Sequence, residues 1–317
     1  MLHTTGREQI KSALEAYRSY IMASNRRALE TLIPIIANWM PEEDSDFFED
    51  MTKDDVPRIR LKSLSQLLGF DSVVRRLSDP TELLTRWEEL APLLELDGVA
   101  RLYGPSQEEE EDEDGVKYPL LVLADQEYRE LKFNEYVTAV EAALRDRVVE
   151  EARDTVAFPE ELRILFELGV DGLSGCGLPI WQAQGCGCHF WTGLGEEPIE
   201  DVVSRVQGPD TQLGAWGGTI RESFDLAADY GEEWVVAGGW GIGRGNDAQT
   251  CYAVFCRRAD EEEFAWRYAI ICESVAYSFD TIPQLLDCYK DFEQIAMDYH
   301  LECDADERIL FDSGVIC

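Results

Sequence analysis

Residues 234–257 read WVVAGGWGIGRGNDAQTCYAVFCR, and the architecture turns on them. Trp234 to Ala237 is a short apolar run of the kind that forms a strand. Gly238 to Asp247 is dense in glycine and reads as a turn, and Thr250 to Arg257 is a return strand rich in β-branched and aromatic residues. Together they predict a β-hairpin. Phe264 to Cys272 continues the pattern as a third strand. From Ile282 the apolar positions Leu285, Leu286, Tyr289, Phe292 and Ile295 fall at helical spacing, with Asp280 or Thr281 as cap and Pro283 in the first turn.

Upstream, Phe158 to Gly169 has proline near a helix start, acids in the first turn and glycine at the stop, as the helix dipole and cap preferences require. Gly172 to Gly245 carries Trp181, Trp191, Trp216, Trp234 and Trp240 on short apolar runs between glycines and reads as sheet and turn. Strands in succession between helices define an α+β fold with an antiparallel sheet flanked by helices.

Seven consecutive acids, Glu108 to Asp114, separate this region from the front of the chain. Like charges with nothing to bury read as a solvated linker or loop, placed at 106–116. Ahead of it, residues 1–105 are helix-patterned. Ile10, Leu14, Tyr17, Ile21, Leu29, Leu32 and Ile36 recur at three- and four-residue steps, with a break expected at Pro34, and further helices are expected over 63–76 and from Asp79 onward. Behind it, Tyr118 to Ala124 reads as a buried strand and Glu127 to Glu151 as a helix, so residues 117–317 form the α+β unit and 1–105 a helical extension.

Charge and cysteine usage bound the function. The formal net charge is -36, from 64 acidic and 28 basic residues among 317. Such a chain repels phosphate, which excludes nucleic acid and anionic membrane surfaces as natural partners. The charge serves solubility first, and the same field would draw in a basic protein. No basic flank leads into an apolar run at the start and no stretch is long enough to span a bilayer, so a cytoplasmic protein is expected. All nine cysteines lie in the second half; the odd number and the size of the chain favour reduced thiols, with Cys251, Cys256 and Cys272 as small buried apolar groups.

Catalytic motifs are weak. Cys176, Cys186, Cys188 and His189 are zinc-type ligands at a poor spacing, with one residue between the paired cysteines and no second pair, and a zinc-binding protein or a cysteine/histidine-centred enzyme built on them is the alternative reading. A cysteine hydrolase built on Cys186 or Cys188 with His300 as base lacks the positive charge that would favour a thiolate. The glycines from Gly239 to Gly245 are followed by a β-like run and not by a helix, so they are no phosphate loop. No cofactor is implied. Trp240, flanked by glycines, is the tryptophan expected to be most exposed, followed by Trp191, and with Arg244 and Asp247 these are the candidate partner contacts.

The order of a Pro-Glu-Glu-Leu-Arg helix ending in glycine, a tryptophan strand, a glycine-rich turn, two strands and a Ser-Phe-Asp helix resembles the SUKH superfamily. That group includes fungal Smi/Knr regulators of cell-wall synthesis and bacterial toxin-immunity proteins. The matching pieces are Phe158 to Gly169, Glu233 to Arg257 and Tyr277 to Phe292, within about residues 155–295. The resemblance implies a sheet that presents a binding surface to another protein, with no enzymatic role. The Gly172 to Gly231 stretch departs from its usual pattern in being long, cysteine-rich and dense in tryptophan, and the helical front has no counterpart in it.

Overall fold

The computed structural model describes residues 5–40, 55–69, 71–74, 76–111, 117–173, 178, 191, 194, 198–211, 219–227, 233–244, 249–272 and 275–290. The fold is α+β. Helix α1 (Arg7–Asn38) buries Ile10, Leu14, Tyr17, Ile21, Leu29, Leu32 and Ile36 along one stripe. Pro34 does not break it. The proline lies on the solvent-facing side, so the backbone bond it forfeits leaves a carbonyl that water can reach.

Helices α2 (Val56–Leu68), α3 (Asp71–Val74), α4 (Glu82–Thr85) and α5 (Trp87–Leu93) pack with the second half of α1 around a cluster that includes Ile33, Leu64, Leu68, Leu83 and Leu90. Gly69 ends α2 at φ 69°, a conformation that favours glycine. Asp79 caps from outside, its Oδ1 accepting from the Thr81 amide at 2.8 Å.

The front is not a separate body. Ile10, Leu14, Tyr17 and Ile21 of α1 belong to the same core as the back half of the chain, and the Tyr17 ring stacks on that of Tyr289, centroids 5.9 Å apart. Strand β1 (Val99–Ala100) crosses to pair with a later strand, and two buried aspartates fasten the join. Asp97 accepts from Arg18 and Arg101, each at 2.7 Å, and Asp171 accepts from Arg129 at 2.6 Å and from the Leu102 amide at 2.9 Å.

Strands β2 (Tyr103–Glu111) and β3 (Lys117–Leu123) form an antiparallel hairpin of their own. The first half of the acidic run is thus strand, correcting the expectation of a loop. A strand tolerates such a run because its residues alternate between two faces, and the backbone register sets Glu111 opposite Lys117.

Helix α6 (Gln126–Arg147) starts where the Asp125 side chain accepts from the Tyr128 amide at 2.8 Å. A 3-10 turn at Glu150–Ala152 leads to α7 (Glu160–Glu167), which Gly169 terminates at φ 87°. Strand β4 (Gly172–Leu173) pairs with β1. Two short helices, α8 (Ile199–Ser204) and α9 (Ile220–Ala227), lie where only sheet and turn were expected, separated by strand β5 (Val206–Gln207).

The main sheet runs β5-β6-β7-β8-β9 and is antiparallel throughout, with β6 (Trp234–Arg244), β7 (Gln249–Arg258), β8 (Ala265–Cys272) and β9 (Val275–Phe279). Helix α10 (Ile282–Tyr289) follows, and the Thr281 side chain accepts from the Gln284 amide at its start. Phe292 and Ile295, expected to extend it, lie outside the described residues. One sheet face, with Trp240, Ala253, Phe255, Tyr268 and Ile270, closes the main core against α1, α6, α7 and α10. On the other face, Ile220 and Phe224 of α9 cover Val236, Tyr252, Val254, Cys256 and Ala269. Cys251 and Cys256 are buried free thiols, as expected of small apolar groups, and burial pushes the Cys256 thiol up to about 12.

The glycine-rich segment is strand as far as Arg244, which corrects its reading as a turn. Between Val236 and Gly238 β6 advances two residues while β7 advances one, a bulge that reverses which face the following residues occupy. Val236 therefore faces α9 and Trp240 faces the main core. Gly239 has no room for a side chain: a Cβ there would stand 2.2 Å from the Ala253 carbonyl oxygen of β7 and 2.9 Å from the Ile220 Cδ1 of α9.

Candidate binding groove

Trp240 and Trp191 are 0% and 1% exposed, so neither ring offers a contact to a partner. The glycines beside Trp240 do not open space for it. They let α9 close on one face while the bulge turns the indole into the other. Its Nε1 donates to the Tyr136 hydroxyl at 3.1 Å, and its ring meets Phe158 and Trp266 at 5.7 and 5.2 Å. Trp191 is held by a bridge to Leu173. Arg244 closes the β6 ladder opposite Thr250. Asp247, the Cys176, Cys186, Cys188 and His189 cluster, and His300 lie outside the described residues. Among the described residues no group of three His, Cys, Asp or Glu side chains is placed to hold a metal, and no helix is long and apolar enough to cross a membrane.

Among the described residues a concavity lies at the end of the sheet where β7 turns into β8. It is a groove of about 920 Å³, walled by the start of α7, the turn from Arg258 to Phe264 and the link from β9 to α10. The turn is stapled from within: the Glu261 carboxylate accepts from the Arg258 amide at 2.8 Å and from Arg267 Nη2 at 3.0 Å. Burial pulls the Glu261 carboxyl upward, but the Arg258 amide and the Arg267 guanidinium outweigh it and hold the group below its ordinary value.

Arg267, its side chain 5% exposed, organises this end of the sheet. Nε donates to Asp280 at 2.8 Å, Nη1 to the Cys256 carbonyl at 2.9 Å and Nη2 to Glu261, while the guanidinium lies 4.6 Å from the Trp234 ring centre. The planar fork of arginine reaches these three acceptors from three separate nitrogens in fixed directions, whereas an ammonium offers its donors from a single point. Arg258 adds contacts to Glu261 and Asp280 and covers Trp234 at 4.8 Å.

Aromatic rings form part of the lining. Trp266 is half-buried, its Nε1 donating to the Ala157 carbonyl at 2.8 Å, and it packs 5.0 Å from Phe255. Phe264 is half-buried beside Phe255, with the Arg257 guanidinium over its ring. Deeper in, Glu161 from the first turn of α7 accepts from the Ile282 amide at 3.1 Å and meets the Tyr268 hydroxyl. Burial pushes the Glu161 carboxyl upward, against the pull of Thr5, the Ile282 amide and Tyr268.

The charges that line the groove are unequal. Among the described lining residues seven carboxylates stand against two arginines, Arg258 and Arg267, and both arginines are engaged with Glu261 and Asp280. Glu160, Asp260, Glu262 and Glu263 remain exposed with no ion-pair partner among the described residues. The signal for this site was present in the chain as Asp260 to Glu263, four acids running directly into the alternating aromatics Phe264, Trp266 and Tyr268. Sequence reasoning passed over it because the longer acidic run and the denser glycines elsewhere are more conspicuous.

Fold and site together define an α+β chain with an acid-rimmed, aromatic-lined groove at one end of an antiparallel sheet. Compared with known proteins, the chain matches no family model, no curated protein and no solved structure.

Proposed function

We propose that this is a non-catalytic interaction module that binds another protein through the groove at the β7 to β8 turn, a regulator acting in the cytosol. The observation that carries the reading is the meeting of unpaired, exposed carboxylates with half-buried aromatic rings in one concavity, since aromatic side chains in concave surroundings anchor protein interfaces. The order of α7, β6, β7, β8 and α10 supports the SUKH-like reading, in which the sheet presents a protein-binding surface. Buried free thiols at Cys251 and Cys256 suit a reducing compartment.

Photocrosslinking tests it. A benzoylphenylalanine placed at Phe264 is expected to give one dominant protein adduct in cells, absent when the probe replaces Leu131, which is exposed on α6 away from the groove lining. The purified adduct partner should then bind the full chain, and bind Trp266→Ala more weakly. Equal labelling from both positions, or binding untouched by Trp266→Ala, would remove the groove from the reading.

A further inference from the structure

Resting on that reading, we infer that the groove takes an extended basic segment of the partner, with arginine or lysine side chains set between the carboxylate rim and the Trp266 ring. Charge complementarity argues for this occupant over others. The lining holds five more carboxylates than arginines (seven less two), and its own arginines are already satisfied by Glu261 and Asp280. A phosphate-bearing or acidic segment would meet Glu160, Asp260, Glu262 and Glu263, and among the described lining residues both cations, Arg258 and Arg267, are already engaged.

The aromatic lining adds the second half of the argument. A guanidinium or ammonium over an indole gains electrostatic attraction from the ring face, most of all where water is partly excluded. The molecule uses this contact itself within the same end of the sheet, with Arg258 and Arg267 over Trp234 and Arg257 over Phe264. Trp266 has its N–H tied to Ala157, so the indole is oriented before anything binds, which spares a partner the cost of ordering it. At about 920 Å³ the space reaches the upper range of small-ligand pockets, and its open run along the turn suits several residues of extended chain.

The test uses the full chain and a fluorescein-labelled peptide of sequence Gly-Leu-Arg-Gly-Arg-Leu-Gly, followed by fluorescence anisotropy. Its counterpart with citrulline for arginine keeps the shape and removes the charge. The arginine peptide is expected to saturate the protein, and the citrulline peptide to bind about tenfold more weakly or less. Glu262→Gln combined with Glu263→Gln, both exposed and so safe for folding, should weaken the arginine peptide several-fold, and Trp266→Leu should do the same with an unchanged circular dichroism spectrum.

Glu127→Gln with Glu130→Gln, both exposed on α6, removes equal charge away from the groove lining and should leave the affinity intact. Citrulline binding as well as arginine overturns the inference, as does an equal loss from the α6 pair, which would mean the bulk field attracts the peptide. A partner crosslinked at Phe264 through a segment without arginine or lysine would also overturn it while leaving the interaction reading in place. Saturable, groove-dependent peptide binding with no crosslinked partner would uphold the inference and count against the interaction reading.

Discussion

The indole nitrogen of Trp240 donates to the hydroxyl of Tyr136 at 3.1 Å, across 104 residues of chain and wholly inside the core. This bond joins strand β6 to helix α6 and sets Trp240 as the support behind Trp266, which lines the groove. A tryptophan expected at the surface thus acts one layer behind it.

Tyr136→Phe leaves the buried indole N–H without its acceptor. The loss should cost about 1–3 kcal/mol, the penalty of an unsatisfied buried donor. Urea unfolding of the variant measures it, and a midpoint equal to that of the parent protein would show that the bond contributes nothing.

Gly239→Ala should destabilise the protein, although alanine in an open strand would do the opposite by restricting the unfolded chain. The new Cβ would stand 2.2 Å from the Ala253 carbonyl oxygen, a backbone atom that cannot swing aside. Overpacking of this kind costs about 1–3 kcal/mol or more. A rise in thermal midpoint would contradict the close packing of α9 on β6.

Arg267→Ala removes the cation shared by Glu261 and Asp280 and strands the Cys256 carbonyl. The arginine is buried but its partners are 26% and 46% exposed, so the loss should lie near the lower end for breaking a buried pair, about 3 kcal/mol. Arg267→Lys should recover only part of it. Full recovery by lysine would show that charge alone matters here and the fork does not.

Glu161 makes stability fall as pH rises. Its carboxyl is raised in the folded protein, so between its ordinary value and the raised one the native state binds more protons than the unfolded chain. The slope of stability against pH is negative in that window: the protonated form is the one the fold accommodates, and its contribution is lost as pH passes upward through the folded value. Glu161→Gln should flatten this part of the profile measured by denaturant titration across the acidic range. An unchanged slope would show that the carboxyl is solvated as in the unfolded chain.

Much of the fold was legible because it rests on local periodicity. Leu285, Leu286 and Tyr289 reveal α10, and the alternation in Thr250 to Arg257 reveals β7, since each pattern reflects a buried stripe or face within a few residues. Strand β9 was missed: Val275 to Phe279 is short and sits against the start of a helix whose signals dominate. The groove is legible only in part. The acids and aromatics from Asp260 to Tyr268 are adjacent in sequence but overshadowed by the longer acidic run, whereas Glu161 joins them only when folding brings α7 against the β7 to β8 turn.

The long helices, the pairing of β6 with β7 and a strongly acidic character are written in the order of residues, because propensity, period and charge are properties of near neighbours. Packing of distant segments was needed to bring α1 into the common core, to turn Trp240 inward and to gather carboxylates and aromatics at one end of the sheet. For Trp240 the cause is the bulge after Val236: one extra residue exchanges the two faces of a strand, and no local pattern around the glycines reports which face the helices will cover.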